Sequence, residues 1–233
     1  MISHRKTAMI VGVLFIIATI AGMIGAILIG PILDDPEYLV NTSAHENEVA
    51  LAALLTLIMG VAVFGIAVTI FPVLKGHSER IALGYVGFRT LEFVIYIIAA
   101  MTFLSLLTLS QEYVKAGASD ATSFETQGAI LLAGIDWSDV PLDLVFGVEC
   151  LFFYYVLYTS KLIPRLLSAW GFVGGIIVLA AAPLGAFGVI SSSDAPSILL
   201  NLPIFALEMV LAVWLIVKGF NPSAIASGPA NQT

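Results

Sequence analysis

The chain has 233 residues, 60% of them hydrophobic and only 11% charged, with a mean hydropathy of +1.05. Soluble domains carry about a quarter charged residues, so a fold in water is excluded and an integral membrane protein is left. Nine Lys and Arg against sixteen Asp and Glu give a net charge of −7, which argues against nucleic acid as a partner; the single cysteine, Cys150, excludes an intrachain disulfide and any multi-cysteine metal or redox centre.

A hydrocarbon core about 30 Å thick needs about 20 apolar residues in helical form. Six stretches qualify, at residues 7–31, 48–73, 81–110, 137–160, 166–190 and 197–218. The alternation of a membrane barrel strand is absent. The expected fold class is therefore all-α, a polytopic membrane bundle of six transmembrane helices. It forms one domain over residues 1–218, followed by a disordered tail, 219–233, rich in Gly, Ala, Ser, Pro and Asn. His4, Arg5 and Lys6 resemble the start of a signal peptide, but the apolar run after them, about 24 residues, is too long for one. An uncleaved first helix is expected.

Span boundaries carry their own signals. Gly76 suits a left-handed residue closing the second span, and Ser78 can cap the third. Asp139 and Pro141 suit the start of the fourth. Pro164 lies in a very short turn, which makes the fourth and fifth spans an antiparallel hairpin, while Pro183 and Pro203 fall inside the fifth and sixth. In the long connection 111–136, Thr122 and Glu125 have capping-box spacing ahead of an apolar run, predicting a short helix on the membrane surface. Ala18, Gly22, Ala26 and Gly30 form a small-residue stripe on the first span, and Gly171 and Gly175 repeat the device on the fifth; both predict close helix packing within the chain. Trp137, Trp170 and Trp214 fall near span ends, where indole rings favour the interface.

Arg5, Lys6, Lys75, Arg80, Lys161, Arg165 and Lys218 all fall on one side of this arrangement, against Lys115 on the other. Basic residues stay cytoplasmic, so both termini are expected in the cytoplasm and the protein in the inner (plasma) membrane. The opposite side holds Asp34, Asp35, Glu37, Glu46, Glu48, Glu112, Asp120, Glu125, Asp136, Asp139 and Asp194, read as a solvated acidic surface.

Arg89, Glu92, Asp143, Glu149 and Glu208 lie within spans. At 1.5 Å per residue from the cytoplasmic edge, Arg89 is about 12 Å deep, Glu92 and Glu149 about 16 Å, Glu208 about 14 Å and Asp143 about 25 Å. Tyr85, Arg89, Glu92 and Tyr96 share one face of the third span, and Asn201 and Glu208 share one face of the sixth. Asp143 and Glu149 are about 120° apart and need not share a site. A lone charge in lipid costs at least about 2.5–3.5 kcal/mol. Arg89 is therefore expected to meet Glu92, Glu149 and Glu208 inside the bundle, with Tyr85, Tyr96, Asp143 and Asn201 as a possible extension. One Arg against three acids leaves a surplus of two negative charges. Either at least one Glu holds a proton at neutral pH or a cation joins the group.

Several chemistries lack their residues. His4, His45 and His77 lie at or beyond span ends, which excludes paired axial ligands for a buried haem. There is no HExxH, no GxSxG, no phosphate-binding glycine loop and no lysine in mid-membrane. A weak metal site from His45, Glu46 and Glu48 is the remaining metal option; the expectation is no metal and no cofactor.

Two segments, Phe88–Gln111 and Leu157–Ala180, with Arg-x-x-Glu at Arg89 and Glu92 and Ser-x-x-x-Pro-Arg at Ser160, Pro164 and Arg165, resemble a prokaryotic membrane family, the domain of unknown function 4386 family. The resemblance covers most of the chain apart from the tail. It implies an integral membrane protein and supplies no activity, substrate or catalytic residue.

Three readings follow. The first is a non-enzymatic structural or partner-binding subunit, in contact with the lipid bilayer and another membrane protein, held together by its buried charges. The second is a small proton- or cation-coupled transporter using the buried carboxylates, which requires a cavity reaching their layer from at least one surface. The third is a lipid-modifying enzyme with a cavity open sideways to the bilayer.

Overall fold

The computed structural model describes residues 4–117, 121–190 and 195–226. In chain order the helices are α1 (His4–Leu33), α2 (Tyr38–Ala44), α3 (Glu46–Lys75), α4 (Glu79–Ala116), α5 (Ala121–Ser160), α6 (Arg165–Ala186), α7 (Ala195–Val217) and α8 (Pro222–Ala226). Six of them, α1 and α3 to α7, are long and apolar enough to cross a membrane. A helix satisfies its own backbone in hydrocarbon and needs only apolar side chains turned to the lipid. On α1, Val13, Ile17, Ile20, Ile24 and Ile27 form such a stripe, each at least 41% exposed, while Val11 and Phe15 are buried on the other side.

The spanning helices form a closed ring, each touching the next in the order α1, α3, α4, α5, α6, α7 and back to α1. At the seam Arg5 donates to the carbonyls of Leu215, Ile216 and Val217 at 3.3, 2.7 and 3.1 Å. These are the carbonyls that the last turn of a helix leaves without intrahelical partners. Both ends of the described chain thus emerge on one face, the terminal face, and the turns α3–α4 and α5–α6 lie there too. The opposite end is the far face.

α4 and α5, with 38 and 40 residues, run about 57 and 60 Å at 1.5 Å per residue, against about 33 Å for the 22 residues of α6. They therefore reach well beyond α6 at the far face. α2 packs on α4 there, and Gln111 of α4 donates to Glu46 of α3 at 3.0 Å.

Several expectations need correction. The connection 111–136 is not a loop with a separate surface helix: its first part extends α4, and its second part is continuous with the fourth span. Pro141 lies inside α5 rather than at its start, so Asp139 is a wall residue of the helix and not its cap. Thr122 falls inside the helix, and the neighbouring residues 118–120, Asp120 among them, lie outside the described residues. Gly76 closes α3 in a right-handed conformation, φ −59°, whereas Ser78 does cap α4 by accepting from the Ile81 N–H at 3.4 Å. The left-handed turn is instead at Lys161, φ 58°, between α5 and α6. Of the tail, residues 222–226 form α8, Phe220 ahead of it and Ala224 within it pack into the core, and the Asn221 N–H donates to the Leu162 carbonyl at 2.9 Å. Residues 227–233 and Asp194 lie outside the described residues.

The two small-residue stripes serve different ends. On α6, a Cβ at Gly175 would stand 2.7 Å from Cys150 Cβ, and one at Gly147 of α5 would stand 2.7 Å from Leu179 Cβ, so these glycines set the α5–α6 distance. On α1, Ala18, Gly22 and Ala26 line a cavity; Ala18 is also packed with Ala62 and Val63 of α3, and a Cβ at Gly22 would stand 2.6 Å from Met59 Sδ. Gly30 touches nothing within 4 Å.

Candidate functional site

α4 carries the centre of the site. Tyr85, Arg89, Glu92 and Tyr96 recur at helical spacing and face the ring interior. Arg89 and Glu92 are each 2% exposed and Glu149 of α5 is 0% exposed, so their charges are removed from both lipid and water. Arg89 Nη1 donates to Glu92 Oε2 at 2.9 Å. Its Nε donates to the Tyr85 hydroxyl at 3.2 Å and stands 2.8 Å from Glu149 Oε1 as an ion pair. Glu208 of α7 approaches Arg89 Nη2 at 3.8 Å, beyond hydrogen-bond length. The Tyr96 hydroxyl donates to Glu92 Oε1 at 3.1 Å, so both Glu92 oxygens are partnered. Arg89, Glu92, Glu149 and Glu208 are thus brought into one cluster from three helices, with Tyr85 and Tyr96 at its edges.

Aromatic rings complete the enclosure. The Arg89 guanidinium lies 6.0 Å from the Phe15 ring centroid, 5.6 Å from Tyr85 and 5.7 Å from Phe146, within the range of cation–π attraction. Tyr85 stacks on Phe153 with centroids 4.8 Å apart.

Glu149 is the unsatisfied member. Its oxygens have no hydrogen-bond donor, because the Arg89 Nε–H points at Tyr85. A proton held anywhere among the three acids would remove one of the two surplus charges.

The cluster is not sealed. A cavity of about 720 Å³ has Arg89, Glu92 and Glu208 in its lining and extends towards the far face along α5. Asp143 and Asn201 line it as well; Glu149 and Tyr85 stand behind Arg89 and do not. Asp136 and Asp139, which the sequence reading assigned to a solvated acidic surface, join the wall together with Phe146. With Asp143 they fall at i, i+3, i+7 and i+10 of α5. That period was readable, but it is visible only when the helix is continued back through Pro141. Opposite this acidic stripe, the α1 and α3 wall is uncharged, with Thr19 among otherwise apolar residues.

At the far face His45 Nδ1 bonds the Asn41 carbonyl at 3.0 Å and Glu46 accepts from Gln111. No group of three or more His, Cys, Asp or Glu among the described residues could hold a metal ion.

A family model described as "Domain of unknown function (DUF4386)" matches residues 10–219. No curated protein and no solved structure matches the chain.

Proposed function

The chain belongs to this family, so its role has to be read from the site, and we propose that it is a small proton- or cation-coupled membrane carrier whose exchanging groups are Glu92 and Glu208. The observation that carries this reading is the cavity of about 720 Å³ that reaches the charged layer. A cluster serving only to hold helices together needs no such space. Intramembrane acids facing a cavity are costly unless they bind or relay something. Glu208 suits exchange because its contact with Arg89, at 3.8 Å, is the loosest of the three. Glu149 is the scaffold member, fully enclosed behind the guanidinium. The excess of Arg and Lys at the terminal face supports cytoplasmic termini and a plasma-membrane location, with the cavity approached from outside.

The test uses the full chain in liposomes loaded with a pH-sensitive dye. Organic cations, organic anions, neutral solutes and alkali cations are added in turn. One class moves protons across the parent protein's membrane, and Glu208→Gln abolishes the movement while the protein stays monodisperse. If no class moves protons, or the variant couples as well as the parent, the carrier reading fails.

A further inference from the structure

The cavity has two unlike walls. Its α5 side presents Asp136, Asp139 and Asp143, its floor adds Glu92 and Glu208, and among the described residues Arg89 is the one basic residue in the lining. That guanidinium is already shared among Glu92, Glu149 and Glu208, so the field in the open volume is negative. The α1–α3 side offers Ala18, Gly22, Ala26 and Val63, with no charge among them, and Phe205 and Trp137 supply aromatic surface. About 720 Å³ is the size of a site for a drug-sized molecule, where pockets run roughly 300–1,000 Å³. The acids are spread along the wall, and among the described residues no three of them converge as metal ligands. This favours a diffuse, bulky cation over a compact metal ion.

We infer that the cavity binds an amphipathic organic cation, its positive centre held between Asp143 and Glu208 and its apolar body against the small-residue face of α1. The inference deepens the carrier reading and rests on it for coupling, but binding alone decides it. The small residues of α1 matter because they create room: Ala26 is exposed to the cavity, and a larger side chain there would occupy the ligand's volume. A cation near aromatic faces is attracted by the negative face of each well-placed ring, which an anion of the same shape is not.

The experiment is equilibrium dialysis of the purified full chain with tetraphenylphosphonium and, as controls, tetraphenylborate and choline. The first control keeps the shape and reverses the charge; the second keeps the charge and lacks the apolar body. Tetraphenylphosphonium binds at one site per chain, and both controls bind at least tenfold more weakly. Asp143→Asn and Glu208→Gln each weaken its binding about tenfold or more. Ala26→Phe weakens it without changing any charge, which guards against misfolding of the acid variants. Equal binding of tetraphenylborate, absence of tetraphenylphosphonium binding, or indifference to all three substitutions overturns the inference. Tetraphenylphosphonium binding with no proton movement in liposomes sinks the carrier reading alone; proton movement in liposomes with no tetraphenylphosphonium binding sinks the ligand class alone.

Discussion

Deleting the charge of Arg89 tests the centre of the structure. Arg89→Met keeps a good helix former and most of the side-chain length while removing the guanidinium. In the parent protein Arg89 is 2% exposed and stands 2.9 Å from Glu92, 2.8 Å from Glu149 and 3.8 Å from Glu208. At an effective dielectric of about 20, the gross attraction is about 6 kcal/mol for each of the two close pairs and about 4 for the third. Desolvation offsets much of that, and stranding a buried partner costs about 3–5 kcal/mol net. For a chain of this size that corresponds to a Tm lower by about 6–20 °C. The assay is thermal unfolding in detergent, with the monodisperse fraction followed by size exclusion. Arg89→Met paired with Glu149→Gln recovers a large part of the loss, because the most enclosed acid is then neutral. A parental Tm for Arg89→Met, or no recovery in the double variant, would refute the electrostatic account.

Four further outcomes are expected. Gly147→Ala pushes α6 from α5, since its Cβ would meet Leu179 at 2.7 Å, and lowers Tm by the equivalent of about 1–3 kcal/mol, whereas Gly30→Ala, with open space around it, leaves Tm unchanged or slightly raised. Gly128→Ala sets a Cβ 2.5 Å from the Tyr38 hydroxyl oxygen and loosens α2 from α5; adding Tyr38→Phe relieves part of the loss in the same melting assay. Burial lowers the pKa of His77 from its ordinary 6.5 by disfavouring the imidazolium. Both states are neutral above pH 6.5; below it the unfolded chain takes the proton first, so Tm falls as pH drops from 6.5, and His77→Asn flattens that slope. Arg5→Ala strips three carbonyls of α7 of their donor, and hydrogen exchange at Leu215, Ile216 and Val217 rises while α4 is unaffected.

The legible part of this molecule was written in period and depth. Arg89, Glu92, Glu149 and Glu208 could be placed in one layer because helical rise is fixed, and faced together because lipid leaves isolated charges no alternative. The turn at Pro164 and the cap at Ser78 were equally local. What escaped depends on tertiary context. Pro141 reads as a helix start, yet it sits inside α5, where packing against α4 and α6 carries the helix through. α2, with seven residues, is too short to show a period. The α1 stripe reads as a packing seam, but small residues border space as readily as contact, and only the placement of α5 and α7 decides which. The cavity belongs to no single segment and so has no signature in any.

Arg89 and Glu92 lie one turn apart on a single helix, joined at 2.9 Å. During synthesis the N-terminal elements appear first. α4 can therefore leave the translocon already self-neutralised, before any acid from a later segment exists. Glu149 then arrives on α5 and meets a guanidinium waiting in the lipid, and Glu208 follows when α7 completes the ring. The two acids that arrive later therefore join a positive centre already in place, rather than having to bring one with them.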